Sequence, residues 1–507
     1  VASMRDCVVS VDIGSGGVRA RAHDRALRTV AEAGLEVATR VGADGASTQD
    51  LTEVVAAVDA AVRRVAAAPG VRVRALAASG TASSLVLPAR SGTGPAPEER
   101  AGTDGTDGTD AGDGGAGGSD GGGTVVLWSD TRAHRAGLQL TPELVDAYRR
   151  TVCPPDASYW PAKIRWARDA GLPRAAALLG VKDEVFRRWT GRCWTDPMTA
   201  AATGLFDSER WEWDAALTDR LQVDAEMLPA VRAATDQAPL GAGAADRLGL
   251  PGGLPVVLGG MDGPLTQIGA AGFESGIASC TIGTSIAYRA GLGHRAVDPS
   301  RRVWCYPVTP DRWVAGGAGS NGGNVLTWLQ GTWAAGSSLA GTLAAGFSVP
   351  ADPELVFVPY LHGERAPVWR SDLRAALVGL AAHHGPADVA RATLTGVAAA
   401  AVELADAVTA VAGPAGEVRL SGGFVQEPRW VQLLTDAVGR RTALPDPATA
   451  TSTGLALLAW AAVEDIPPDQ VFQPTTGESW EPDPRAHAAL RATAARVAGF
   501  RELLWPS

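Results

Sequence analysis

Short apolar runs rich in Val, Ile and Ala recur along the chain, and they stop repeatedly at Gly, Ser or Asp. The first, 7–12, is β-branched and halts at Ile13-Gly14-Ser15-Gly16-Gly17. Residues 18–24 alternate apolar with polar, which predicts a second strand and, with the glycines between, a hairpin. Residues 51–68 place apolar side chains at helical spacing. Residues 73–79 predict a further strand ending at Gly80, and 125–128 resume the pattern. Helices follow over about 161–170 and 181–190. A second series opens at 255–259 and continues through 278–282, 304–309, 355–359 and 417–421, with helices between. Strands alternating with helices predict α/β architecture. Two similar blocks predict two lobes, 1–257 and 258–507.

Residues 91–123 break the pattern. Their tract GTDGTDGTDAGDGGAGGSDGGG is almost wholly Gly, Asp, Thr, Ser and Ala. Such a composition buries too little surface to offset its ordering entropy, so a disordered insert in a surface loop is expected. A calcium-binding glycine/aspartate repeat needs an apolar strand residue in each unit, and none is present.

Composition narrows the partners. A chain of 507 residues, 46% apolar, can build substantial cores. A net charge of -10 argues against a nucleic-acid surface, which needs a basic footprint. Five scattered cysteines without a CxxC read as reduced thiols, in keeping with a cytoplasmic protein. The reading finds no apolar run near 18 residues and no signal pattern at the start, so no membrane partner is expected.

Three glycine-rich turns follow strand-like runs: Asp12-Ile13-Gly14-Ser15-Gly16-Gly17, Thr281-Ile282-Gly283-Thr284-Ser285 and Leu420-Ser421-Gly422-Gly423. Turns of this kind let backbone N–H groups converge on an anion, and the hydroxyls of Ser15, Thr284 and Ser285 add donors. Any one of them alone reads equally as ordinary turn chemistry. None is a P-loop or a full dinucleotide fingerprint. Asp12 and Asp262 each close a strand-like run before glycine. A carboxylate there can hold Mg²⁺ or accept a proton from an attacking hydroxyl; Asp262 before Gly263-Pro264 fits a helix N-cap as well. Residues 316–328 read as a flexible turn entering a helix that Asn324 could cap.

Taken in order, these motifs resemble the FGGY carbohydrate kinase family. Asp12 to Ser15 is similar to its opening phosphate turn, with Arg19 at the basic position that follows. Trp128-Ser129-Asp130-Thr131-Arg132, Trp189-Thr190-Gly191 and Thr203-Gly204-Leu205-Phe206-Asp207 are similar to its central motifs, and 259–269 to its catalytic loop. GGAGSNGGNVLTWL and GERAPVWRSDLRAALVGL look most like the gluconate kinase branch. The resemblance implies two actin/hexokinase-like (ribonuclease H-like) lobes around a cleft, the first binding sugar and the second nucleotide. It implies ATP and Mg²⁺ as cofactors, with Asp262 as general base and Asp12 and Asp262 near the metal. Gly14, Ser15, Gly283, Thr284 and Ser285 would hold phosphates, and Asn324, Gly422, Gly423 and Gln426 would lie near the nucleotide. Thr81, Ser83, Asp130, Arg132 and Arg365 are the substrate candidates, with Asp262 beside them. Trp160, Lys163 and Glu364 read either as cleft groups or as packing. The chain departs from the family at Gly16-Gly17, where hydroxyls are usual, at Ala82-Ser83, where many relatives carry Met-His, and at Gln426-Glu427-Pro428, where Ser-Pro is usual. The implied acceptor is a small sugar or sugar acid, with gluconate first, a ketopentose such as xylulose second, and a weakly catalytic nucleotide-binding regulator third. A homodimer is left open.

Overall fold

In a computed structural model, the chain builds two mixed sheets whose strand order is repeated. The structure describes residues 4–89, 122–172, 174, 177–273, 276–334, 336–446, 450–472 and 474–506. The expected disordered insert, apart from Gly122 and Gly123, lies outside them.

The first sheet contains β1 (Arg5–Gly14), β2 (Gly17–His23), β3 (Thr29–Glu36), β4 (Val71–Gly80), β5 (Gln237–Pro239) and β6 (Pro255–Met261), in the order β5-β6-β4-β1-β2-β3. β1, β2 and β3 form an antiparallel meander, β4 and β6 run parallel to β1, and β5 is an antiparallel edge. The middle of β1, Cys7 to Val11, is buried because both of its faces are covered. Cys7, Val9, Val11 and Ile13 face α1 (Leu51–Ala66), and Val8 joins the cluster on the other side. α1 starts where Asp50 accepts from the N–H groups of Thr52 and Glu53. Its buried stripe is Leu51, Val54, Val58, Ala61, Val62 and Val65; losing such a cap costs about 1 kcal/mol. β3 escapes a reading by pattern because it is an edge strand with no fully buried position.

Leu258 to Met261 continue β6 within the first sheet, and the chain leaves that sheet at Asp262. There α2 (Asp262–Ala271) begins. The second sheet contains β7 (Ile277–Ile282), β8 (Ile286–Leu292), β9 (Trp304–Thr309), β10 (Arg312–Ala318), β11 (Glu417–Ser421), β12 (Arg441–Asp446) and β13 (Thr475–Trp480), in the order β9-β10-β8-β7-β11-β12-β13. An antiparallel unit is again followed by two parallel strands, β11 and β12, and an antiparallel edge. Residues 316–318, expected in a flexible turn, finish β10. A Cβ on Gly317 would crowd Ala366 and Leu404, so glycine here serves packing. The helix beyond is α3 (Gly323–Thr332).

The longest helix, α4 (Pro386–Ala412), corrects the expectation of no long apolar run: it is apolar and long enough to cross a membrane. Most of its apolar window is buried inside the lobe (72%), so it is the lobe's central helix. α5 (Pro428–Val438) and α6 (Ala450–Glu464) follow, and the helix Pro484–Leu504 packs back on α4. α2 and α6 exchange sides. α2 leaves the first sheet but rests on the second, where Gln267 donates to Ile277 O at 2.8 Å and Arg419 to Ala270 O at 2.8 Å. α6 leaves the second sheet but packs on β1, β4 and β6, and Trp460 Nε1 donates to Asp24 O at 3.1 Å. They cross at Gly269 and Gly454, where a Cβ on either would strike the backbone of the other helix.

A small sheet, Arg40–Val41, Ser47–Asp50, Leu85–Pro88 and Gly123–Val126, extends the first lobe beside the helices His134–Thr151 and Trp160–Asp169. Gly123 pairs with Pro88, so the Gly/Asp-rich tract joins two neighbouring strands.

Candidate active site

Asp12 sits near the end of β1, opposite Arg19 on β2 and Ser79 on β4. The Ser79 hydroxyl donates to Asp12 Oδ1 at 2.8 Å. Burial raises the Asp12 carboxyl, against the pull of Ser79, Arg19 and Arg21. Asp262 is the first residue of α2, so it stands where one sheet ends and the crossing helix begins. Burial first, then the Asp12 carboxylate, push it up to about 6. Arg289 and the backbone N–H groups of Gly263 and Ala82 pull the other way. The two acids therefore share one electrostatic site, and the Thr81-Ala82 turn reaches it. Carboxylates that raise one another's proton affinity are a donor set that a divalent cation suits.

Two glycine turns approach this pair. In the first, Ser15-Gly16 closes the β1–β2 hairpin, and Gln49 Nε2 holds the Ser15 carbonyl at 3.0 Å from behind. Gly17 must be glycine, since φ is +148° and a Cβ would strike Leu35 O. Gly16 is different: nothing lies within 4 Å of a Cβ there. The second turn, Gly283-Thr284-Ser285, lies between β7 and β8 and keeps Gly283 and Thr284 exposed. Gly323 N–H donates to Gly283 O at 2.8 Å and Asn324 N–H to Thr284 O at 3.1 Å, so the start of α3 is stitched to it. Gly322, not Asn324, is the cap of that helix. Asn324 is its second residue and receives the Gly322 N–H at 2.8 Å. Gly422, at φ +109°, passes so close to Ile282 O that a Cβ would collide. Gly422 thus lies against the end of the strand that leads into the second turn. The Glu427-Pro428 departure has a local cause: Glu427 caps α5, accepting from Arg429 N–H, with Pro428 in the first turn.

The acceptor candidates divide. Arg365 carries its guanidinium over the Trp128 ring, 3.9 Å from the centroid, and donates to Gly319 O at 2.9 Å. Its Nε is buried without a partner, and Asp262 and Asp156 are among the acids it feels. Thr81 Oγ1 is likewise buried and unpartnered. Ser83 instead donates its hydroxyl to Ser158 O at 2.5 Å. Asp130 accepts from Ser47 N–H at 3.0 Å and from Arg132 Nη2 at 2.7 Å, and Arg132 lies over the Trp166 ring. These three are engaged with the protein itself. Lys163 is fully buried and donates to Ser83 O at 2.6 Å; burial pushes it down to about 7. Glu364, pushed up to about 7 by burial, accepts from Ser320 N–H, Asn321 Nδ2 and Arg365 N–H. Arg289 was not legible as a site residue, because an arginine inside an apolar strand carries no motif.

Models for the FGGY family of carbohydrate kinases match in sequence, the N-terminal domain over residues 123–269 and the C-terminal domain over 278–463. The chain belongs to the FGGY family of carbohydrate kinases. It is a sugar kinase, a phosphotransferase that uses ATP, on the two-lobed actin/hexokinase-like fold. A gluconokinase of Bacillus subtilis is 28% identical over 67% of this chain and 70% of its own. A glycerol kinase of Cereibacter sphaeroides is 29% identical over 73% of this chain and 80% of its own. Crystal structures of a ligand-bound xylulose kinase and a gluconate kinase, both from Lactobacillus acidophilus, superpose with TM-scores of 0.87 at 23% identity, covering 99% of both chains. In this FGGY kinase Asp262 falls within the matched N-terminal domain.

Proposed function

We propose that this kinase phosphorylates a sugar acid, gluconate first among acceptors, to give 6-phosphogluconate. The observation that carries the chemistry is Asp262, half-buried at a helix start beside Asp12 and raised to about 6. At neutral pH such a group is ionised yet basic enough to take a proton. As the acceptor oxygen attacks the γ-phosphorus, its proton passes to Asp262 and the bond from phosphorus to the β,γ-bridging oxygen breaks, releasing ADP. Asp12 and Asp262 would hold Mg²⁺, which neutralises phosphate charge when bound. Gly14, Ser15, Gly283, Thr284 and Ser285 would cradle the phosphates. Asn324, Gly422, Gly423 and Gln426 would border the nucleoside.

An anionic acceptor is favoured by Arg365, whose flat guanidinium is fixed over Trp128 with its Nε still unpaired. Such a fork suits a carboxylate. Thr81 offers a buried, unpartnered hydroxyl in the turn whose Ala82 N–H reaches Asp262. The relatives named gluconokinase agree with this reading. Five free cysteines and the use of ATP fit a cytoplasmic setting.

The test is ADP release with Mg-ATP and each of gluconate, xylulose, ribulose and glycerol. Turnover confined to gluconate is expected. Preference for a ketopentose would replace the sugar acid, and nucleotide binding without turnover on any acceptor would leave a regulator.

A further inference from the structure

The repeat of the two lobes singles out one arginine. Asp12 and Thr281 occupy the same place, each two residues before the glycine that opens its hairpin turn. Two residues earlier still, Ser10 pairs with Arg21 on β2, and Ser279 pairs with Arg289 on β8. Arg21 and Arg289 are therefore counterparts. Each faces a crossing helix that comes from the other sheet. Arg21 donates to Ser452 Oγ at 3.2 Å in the first turn of α6 and to Glu32 Oε2 at 3.1 Å. Its charge is matched by an acid.

Arg289 has no such company. Among the described residues its one side-chain hydrogen bond is a long one from Nη1 to Thr281 Oγ1, at 3.4 Å. Its Nε is buried and unpartnered. A Cβ on Gly263 would come within 3.7 Å of that Nε, so the guanidinium lies beside the first turn of α2, next to Asp262. Asp262 and Arg289 feel each other's charge but form no ion pair. The group thus stands between the strand that feeds the 283–285 turn and the acid that faces the acceptor. That is where the transferred phosphoryl must pass.

We propose that Arg289 is a catalytic residue that contacts the γ-phosphoryl group during transfer, as a fixed cation supplied from the second lobe. The proposal rests on the kinase reading of Asp262 given above. It also gives a reason why the first turn tolerates Gly16 without a hydroxyl: positive charge arrives from the facing lobe. Charge spread over the phosphoryl oxygens in transfer is what a preorganised guanidinium stabilises best.

The test is equilibrium binding, without turnover, of ADP and of the β,γ-imido analogue of ATP, each with Mg²⁺. The wild type is compared with Arg289→Met and Arg289→Lys. A charge-assisted hydrogen bond lost to the γ-phosphate predicts that Arg289→Met binds the triphosphate analogue about tenfold or more weakly. ADP binding should stay within about twofold, and Arg289→Lys should fall between. Equal loss for both nucleotides, or loss for neither, overturns the role. If the methionine variant does not fold, the lysine variant is judged by the same difference between nucleotides. A wild type that binds neither nucleotide would instead remove the kinase reading, and this proposal with it.

Discussion

At the end of β1 the carboxylate of Asp12 receives the hydroxyl of Ser79 from the neighbouring parallel strand; at the end of β7 the hydroxyl of Thr281 meets that of Ser421 at 2.9 Å, again from the neighbouring parallel strand. Register and surroundings match, but one pair carries an acid and the other does not. The same holds one step along. The first hairpin turn ends in a glycine locked by Leu35, while the second keeps Thr284 exposed. Repetition supplies the position, and the side chain placed there decides whether it attracts a cation or an anion. On the proposed reading the first lobe would contribute the acids, and the second backbone donors, hydroxyls and Arg289.

The asymmetry can be broken most sharply at Asp262. Asp262→Asn is expected to lower kcat by about 10³-fold, within the range for losing a general base, while ADP affinity changes little; a coupled ADP-release assay and a nucleotide titration check both. The acid limb of kcat/KM in the wild type should lie near pH 6, because Asp262 works only when ionised and its carboxyl is raised to about 6. Activity should drop about tenfold per unit below that value and level off above it. A limb near pH 4 would place the base elsewhere.

Next in size is backbone fit. Gly422→Ala forces a Cβ into Ile282 O at φ +109°, whereas Gly423 has nothing within 4 Å. The first substitution should cost about 1–3 kcal/mol in urea unfolding and the second well under that. Smaller again is the paired-hydroxyl comparison. Ser79→Ala removes the donor to Asp12 and should raise the Mg²⁺ concentration for half-maximal activity severalfold. Ser421→Ala should leave Mg²⁺ dependence unchanged, and matching shifts in both would erase the distinction between the lobes. Smallest is Gly16→Thr, which has open space for its side chain. It should keep kcat within about threefold, since the missing hydroxyl is compensated from the opposite lobe.

β1, β4, β6, β7, β9 and β11 were readable as apolar runs broken by Gly, Ser or Asp, because strands covered on two faces have that signature, and β2 by its alternation; β8, β12 and β13 were not read. β3 was not, since its partly exposed edge position leaves no apolar demand, and β10 was hidden by glycines that pack rather than turn. The glycine turns of the second lobe were legible for a related reason. Turns that bring backbone to an anion need small residues in sequence, and Gly283 to Ser285 and Gly422-Gly423 show them. The acceptor side was less so. Ser83, Asp130 and Arg132 have suitable chemistry, but their bonds are taken by Ser158, Ser47 and each other. Only tertiary contacts disclose which polar groups are already engaged. Arg289 needed the same knowledge in reverse, since it is distinguished by a bond it lacks.

The crossing of α2 and α6 at Gly269 and Gly454 leaves little room for sliding, so rotation is the natural relative movement of the lobes. Points near a pivot travel least. Asp262 begins one of the two crossed helices, about two turns before Gly269. A proton acceptor anchored to the crossing would then keep its place while the lobes turn about it.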